Sequence, residues 1–413
     1  MFGGAIAVQA VLSATNLIVG LILIRRAPDA QYGYYVLALN VITLLTALQN
    51  SFVQSQMVDR MTGATAPMRA DLIGGLYRSQ RRQWPILGAA SCVGILICWS
   101  IGLLQSAPAI VALVAVIAAL ASLYREFFRM VLLAYRRPDN VLRADLAFAI
   151  ILILGATIAT LTPKPAAVVI LFFALAALTG ALICSLSLWR FAPWNIDGAP
   201  GILKAILPFA VWTTSGCAIH WVFSQGYNFL VAGTLGVTAV AAVAATRTLI
   251  MPVNLLSTGI GTLMLPTVSN WLQAHDPRLV LNRQLLIAGA LAAVAACYFT
   301  GVWIFRDWIF TNVLNKTLAQ RDLLLLLWFA VGILMLLRDQ LVYLLLSRSR
   351  VRALTILTLA SALVSLATSY LSMRQIGAPG ALVGVLVGEL VNVSGLIILS
   401  IGESRRSPRH SNM

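Results

Sequence analysis

Apolar runs of similar length follow one another along the whole chain, separated by short polar breaks. They cover 3–24, 34–53, 84–104, 108–128, 141–161, 166–189, 205–229, 237–266, 284–305, 323–346, 352–373 and 379–401. Each holds about the 20 residues that a helix needs to cross ~30 Å of hydrocarbon at ~1.5 Å per residue. The pattern predicts twelve transmembrane helices. The run 237–266 is overlong and contains Pro252, which removes one backbone hydrogen bond, so a tilt or kink is expected there. The longest polar break, 54–83, reads as a loop, and no break is long enough to fold as a domain. The first run has no basic segment before it and no small-residue cleavage signature after it, so it reads as a retained helix. Met1 stands almost against the membrane, which leaves the start of the chain open.

The breaks have a second level of order. After the sixth run, "FAPWNIDGAPGILK" (191–204) brings two proline-containing turns and interrupts the apolar pattern. It divides the chain into an N-terminal six-helix bundle (1–190), a linker (191–204), a C-terminal six-helix bundle (205–403) and a basic tail (404–413). An even number of spans returns the second half to the orientation of the first. The halves are therefore expected to be parallel pseudo-repeats around a central cavity. The fold class that follows is an all-α polytopic membrane protein.

Composition agrees with a membrane solvent. Of the 413 residues 60% are hydrophobic and only 10% charged, against about 25% charged in soluble domains; mean hydropathy is +0.91. A net charge of +16 would suggest nucleic acid in a soluble protein. Here the cations gather in short segments that share one side of the membrane, among them Arg60, Arg69, Arg78, Arg136, Arg137 and Arg348. Far fewer fall opposite, such as Arg25, Arg26, Lys164 and Lys316. The positive-inside rule then puts both termini, and the segment 54–83, in the cytoplasm, with no nucleic-acid partner. The five cysteines lie inside apolar runs without metal or disulfide spacing and read as packing residues. No metal-binding histidine motif or phosphate loop is present, so the chain reads as a conduit rather than an enzyme.

Polar side chains inside the runs carry the candidate chemistry. Arg247 sits in "AVAAVAATRTLIMPVNLL" (239–256), where a guanidinium is costly unless something compensates it. Glu389 is the acidic residue nearest the middle of a run, with Asn392 one turn on. Counted from their outer helix ends, Arg247 and Glu389 both lie ~15 Å deep and Arg338 ~9 Å deeper than Glu389. Two readings of Arg247 follow: a buried pair with Glu389, or a cation facing the cavity. Arg338 and Asp339 are adjacent, so their side chains diverge by ~100° and are not expected to pair; Arg338 is a second candidate cation. Gln9 and Asn16 share a face of the first helix and, with Asn50, form a candidate polar stripe. His220 is a candidate for proton coupling or a structural hydrogen bond. Arg125 and Arg129, one turn apart at the end of the fourth run, read as cytoplasmic snorkelling residues or an inner gate.

Three stretches carry a family resemblance: "LILIRRAPDAQYGYYVLALN" (21–40), "YREFFRMVLLAYRRPDNVLRADL" (124–146) and, more loosely, "PFAVWTTSGCAIHWVFSQGYNFLVAGTLGVTAVAAVAATRTLIMP" (208–252). With the twelve runs, they resemble the Wzx-type polysaccharide flippases of the multidrug/oligosaccharidyl-lipid/polysaccharide superfamily. The resemblance implies alternating access in a bacterial cytoplasmic membrane. The cargo would be a polyprenyl-diphosphate-linked oligosaccharide turned outward for exopolysaccharide, capsule or O-antigen assembly, beside a polymerase and co-polymerase. It implies no cofactor, and coupling to Na⁺ or H⁺ with Glu389, Asn392 and His220 as candidates. Arg247, Arg338, Asn16, Asn50 and Gln9 would line the cargo site. Two alternatives stand beside it. A cation-coupled multidrug exporter of the same superfamily would usually carry a carboxylate in an N-terminal membrane helix, and runs one to three contain none. A membrane polysaccharide polymerase or ligase would be expected to carry histidine on its outer loops, which these lack. The lipid II flippases are also similar, but usually have two more helices.

Overall fold

The computed structural model describes residues 2–61, 64–192, 194, 202–348 and 350–405. The described residues are helical with no strand. They divide into two compact units, Met1–Ala218 and Ile219–Met413, with the division inside a helix. Most of the expected linker, and tail residues 406–413, lie outside the described residues.

The first unit contains α1 (Phe2–Arg26), α2 (Asp29–Met61), α3 (Ala66–Ser100), α4 (Ser106–Ala134), α5 (Pro138–Ala159), α6 (Pro165–Phe191) and the first half of α7 (Ile202–Leu235). Prolines at the first positions of α3, α5 and α6 suit helix starts, where the missing N–H would be unpaired anyway. Helix α4 is central: α2, α3, α5 and α6 all pack on it, and α1 packs on α5.

The expected loop 54–83 is a correction. Helix α2 runs on to Met61 and α3 begins at Ala66, leaving a short connection. The physical reason is amphipathic spacing: Val53, Met57 and Met61 recur at four residues and are buried, as are Leu72, Leu76, Gln80 and Trp84. Arg60, Arg78, Arg81 and Arg82, which lower the hydropathy of this stretch, are exposed.

The second unit contains the rest of α7, then α8 (Val237–Thr248), α9 (Met251–Ala274), α10 (Pro277–Ile304), the short α11 (Arg306–Trp308) with a π-helical turn Ile309–Leu314, α12 (Arg321–Ser347), α13 (Val351–Ile376) and α14 (Ala378–Arg405). Here α12 is central, touching α8, α9, α10, α13 and α14, while α13 and α14 form the most extensive pair. The overlong run is two helices bent by 57°. Pro252 opens α9, and the Leu249 carbonyl at the break accepts the Tyr298 hydroxyl at 2.9 Å. A buried carbonyl without its helical donor needs such a partner.

Among the described residues, ten helices are long and apolar enough to cross a membrane, eleven with the bent α8–α9 pair. The twelfth expected span, 205–229, is carried by α7, a helix of 34 residues. His220, Gln225 and Asn228 make its later part more polar than the other spans. The chain is a multi-pass helical membrane protein.

Candidate functional site

Two polar clusters form inside the second unit, each fixed by the helices just described. The first centres on α12. Arg338 Nη1 donates to Glu389 Oε1 on α14 at 2.5 Å. Its Nε and Nη2 donate to Asp339 Oδ1 at 3.1 and 3.0 Å. The other Asp339 oxygen accepts the Ser257 hydroxyl of α9 at 2.7 Å. Arg338 and Glu389 are buried, and the second carboxylate oxygen of Glu389 has no partner.

This removes one of the two readings of Arg247 and overturns the expectation that Arg338 and Asp339 do not pair. Glu389 pairs with Arg338, not with Arg247, and Arg338 does bond its neighbour Asp339. Counting depth from helix ends assumes that the ends are level and the axes parallel. A guanidinium on a long flexible stem absorbs the remaining offset. The same flexibility lets Arg338 fold back across ~100° to the adjacent side chain.

The second cluster surrounds Arg247. Its Nη1 donates to Gln225 Oε1 at 2.5 Å and to Tyr227 Oη at 3.1 Å, both on α7. The guanidinium lies 5.5 Å from the Trp328 ring and 6.0 Å from that of Tyr227. Trp328 is held by its indole N–H on the Val243 carbonyl at 3.2 Å. Asn228 Nδ2 donates to the same Gln225 oxygen at 3.2 Å. Every partner of Arg247 among the described residues is neutral. Its Nε and Nη2 make no hydrogen bond and are not shut off from the surface.

A third cluster lies in the first unit, where arginines were expected to snorkel. Arg125 Nη2 meets Asp145 Oδ1 at 2.5 Å, and Arg129 bridges Asp145 at 3.2 Å and Glu126 at 2.9 Å. Arg125 also stacks over Phe148 at 4.0 Å. Asn50 Nδ2 donates to Glu126 Oε1 at 3.2 Å. The snorkelling expectation fails because α4 continues to Ala134, so these arginines are not at its end. Asn50 belongs to this ion-pair network. Gln9 and Asn16 are exposed on α1 and are not brought to it. In the second unit Asn392 is buried one turn from Glu389, while His220 is exposed on α7 and makes no hydrogen bond among the described residues.

Sequence reasoning missed Gln225, Tyr227, Trp328 and Asp145. The run "SQGYN" (224–228) was the available signal, since two amides and a phenol within one turn are unusual in a span. The lack of acidic residues in the first three helices also needs correction: the longer α2 and α3 include Asp29, Asp59 and Asp71, with Asp29 and Asp71 exposed near helix ends.

No family model matches the chain, and no curated protein matches it. Solved structures do. One is described as the inward-facing conformation of a multidrug resistance MATE family transporter of the MOP superfamily. It aligns with a TM-score of 0.77 at 14% identity, covering 95% of this chain and 94% of that one. The fold is that of the MATE transporters. An outward-facing structure of such a transporter aligns with a TM-score of 0.67 at 14% identity over 98% and 94% of the two chains. A MATE structure in a straight conformation gives 0.65 at 15% identity over 98% and 95%. At these identities the likeness is one of fold.

Proposed function

We propose that this protein is a flippase that moves a polyprenyl-diphosphate-linked oligosaccharide from the inner to the outer leaflet of a cytoplasmic membrane by alternating access, making and breaking no bond. The observation that carries the reading is Arg247. Three other arginines within the spans, buried Arg125 and Arg338 and half-buried Arg129, are each matched by carboxylates. Arg247 keeps its full charge and a free two-donor edge, the geometry that suits a phosphate group. A diphosphate cannot cross hydrocarbon without such a replacement for its hydration. Arg338, Asp339 and Glu389 then serve the coupling to Na⁺ or H⁺. The fold shared with transporters supports the transport step.

The test is flipping of a fluorescent polyprenyl-diphosphate oligosaccharide in proteoliposomes. Wild-type protein should flip it, Arg247→Gln should lose at least roughly tenfold in rate, and Arg247→Lys should fall between, because an ammonium lacks the planar fork. A second reading, a cation-coupled multidrug exporter, is favoured by the description of the solved structures as multidrug resistance transporters. Efflux of cationic dyes that survives Arg247→Gln, with no lipid flipping, would replace the first reading by the second.

A further inference from the structure

Resting on the anionic-cargo reading, we infer that Gln225 is a positioning and specificity-determining residue. It ties down one edge of Arg247 without neutralising it, so that the other edge meets a diphosphate. An arginine in a span could be held by a carboxylate, as Arg338 is held by Glu389 at the same 2.5 Å. At Arg247 the acceptor is an amide instead. The amide accepts the same N–H but leaves the guanidinium charge uncompensated, which is what attraction of an anion requires.

The orientation of that amide is fixed by its neighbours. Two donors, Arg247 Nη1 and Asn228 Nδ2, converge on Gln225 Oε1. An amide nitrogen could not accept either, so the oxygen must face them. Asn228 is itself buried. Gln225 Nε2 is left without a partner and is not closed off from the surface. The Trp328 ring, anchored on the Val243 carbonyl, restrains the guanidinium from its face. Nε and Nη2 of Arg247 are thus presented by a preset frame, which lowers the ordering cost when a phosphate arrives. The class selected is a phosphate ester or diphosphate; a neutral solute gains only weaker, charge-unmatched hydrogen bonds there, and a cationic one is repelled.

The experiment uses the full chain in nanodiscs with inorganic pyrophosphate as the probe, reading its Kd and the thermal midpoint together. Gln225→Glu keeps an acceptor oxygen in place but supplies a neutralising charge. We expect it to weaken pyrophosphate binding by roughly tenfold or more while the midpoint holds or rises, since it creates an ion pair. Gln225→Met removes the acceptor without adding charge and should weaken binding several-fold. A merely structural role for Gln225 would make the glutamate variant bind as well as wild type. Equal Kd within twofold for wild type and either variant overturns this inference alone and leaves Arg247 as an anion site. Failure of wild-type protein to bind pyrophosphate, with lipid flipping unaffected by Arg247→Gln, sinks the anionic-cargo reading and this inference with it.

Discussion

At the scale of single residues, the buried charges differ in how completely they are matched. Arg338 faces two carboxylates, Glu389 and Asp339. Removing the cation would leave two acids against each other, whereas removing Glu389 leaves Arg338 its bonds to Asp339. Breaking a buried pair from one side costs about 3–5 kcal/mol. Arg338→Met should therefore reach or exceed that range, and Glu389→Gln should cost clearly less. Chemical denaturation in detergent checks the order, and the reverse order would contradict the hydrogen bonds described. Replacing both partners by apolar residues, Arg338→Met with Glu389→Met, should recover part of the loss. The same variants bear on coupling: if the cluster serves it, Glu389→Gln should remove the response of transport to Na⁺ or pH gradients while leaving downhill flipping measurable. These charges were legible in the sequence as outliers within apolar runs. Their pairing was not, because partners 51 positions apart are chosen by helix tilt and side-chain reach.

At the scale of elements, the most extensive contact among the described residues is between α13 and α14. Gly380, Gly384 and Gly388 recur at four residues along α14 and face α13. A Cβ at Gly384 would meet Ser369 Oγ at 2.1 Å and its backbone N at 2.3 Å; one at Gly380 would meet Met373 N at 2.4 Å. Backbone atoms cannot swing aside as a side-chain end can, so the helices must separate. In a membrane, where apolar area drives no association, such close approach is the main source of helix pairing. Gly384→Val should lower the thermal midpoint by several degrees or prevent folding, while the same change at Gly289, which has nothing within 4 Å, should be close to neutral. The central helices also rhyme. Both α4 and α12 carry an adjacent arginine–acid doublet, Arg125–Glu126 and Arg338–Asp339, each about two and a half turns from its helix end. The two doublets thus stand at corresponding places in the central helices of the two units. That correspondence was hidden because the end of α4 was placed too early: hydropathy falls at "YREFFR", and ion pairing that keeps a helix going is invisible to it. The extensions of α2 and α3 were lost for a similar reason, since a buried stripe of Met and Leu is diluted by exposed arginines.

At the scale of the whole molecule, the number of crossings decides the topology, and α7 decides the number. Thr65 lies between α2 and α3, and Thr317 between the π-helical turn and α12; both are exposed. Helices α3 to α6, the α8–α9 pair and α10 separate them, and so does α7. If α7 crosses, the two positions lie on opposite faces; if it does not, they share one. Of its polar side chains, Asn228 and Tyr227 are buried and Gln225 is engaged with Arg247, so the membrane is not asked to solvate these three. We therefore expect α7 to cross, with Thr65 cytoplasmic and Thr317 outside, as the excess of arginine on the inner segments requires. Thr65→Cys and Thr317→Cys, each in a background with Cys92, Cys98, Cys184, Cys217 and Cys297 replaced, can be probed in intact cells with an impermeant thiol reagent. Labelling of Thr317→Cys alone is the expected result, with Thr65→Cys reacting only after the membrane is opened. Labelling of neither until the membrane is opened would mean that α7 does not span, and labelling of Thr65→Cys alone would invert the orientation. Either outcome would also put Arg247 at a depth measured from the wrong face, and the route by which an inner-leaflet headgroup reaches it would have to be redrawn.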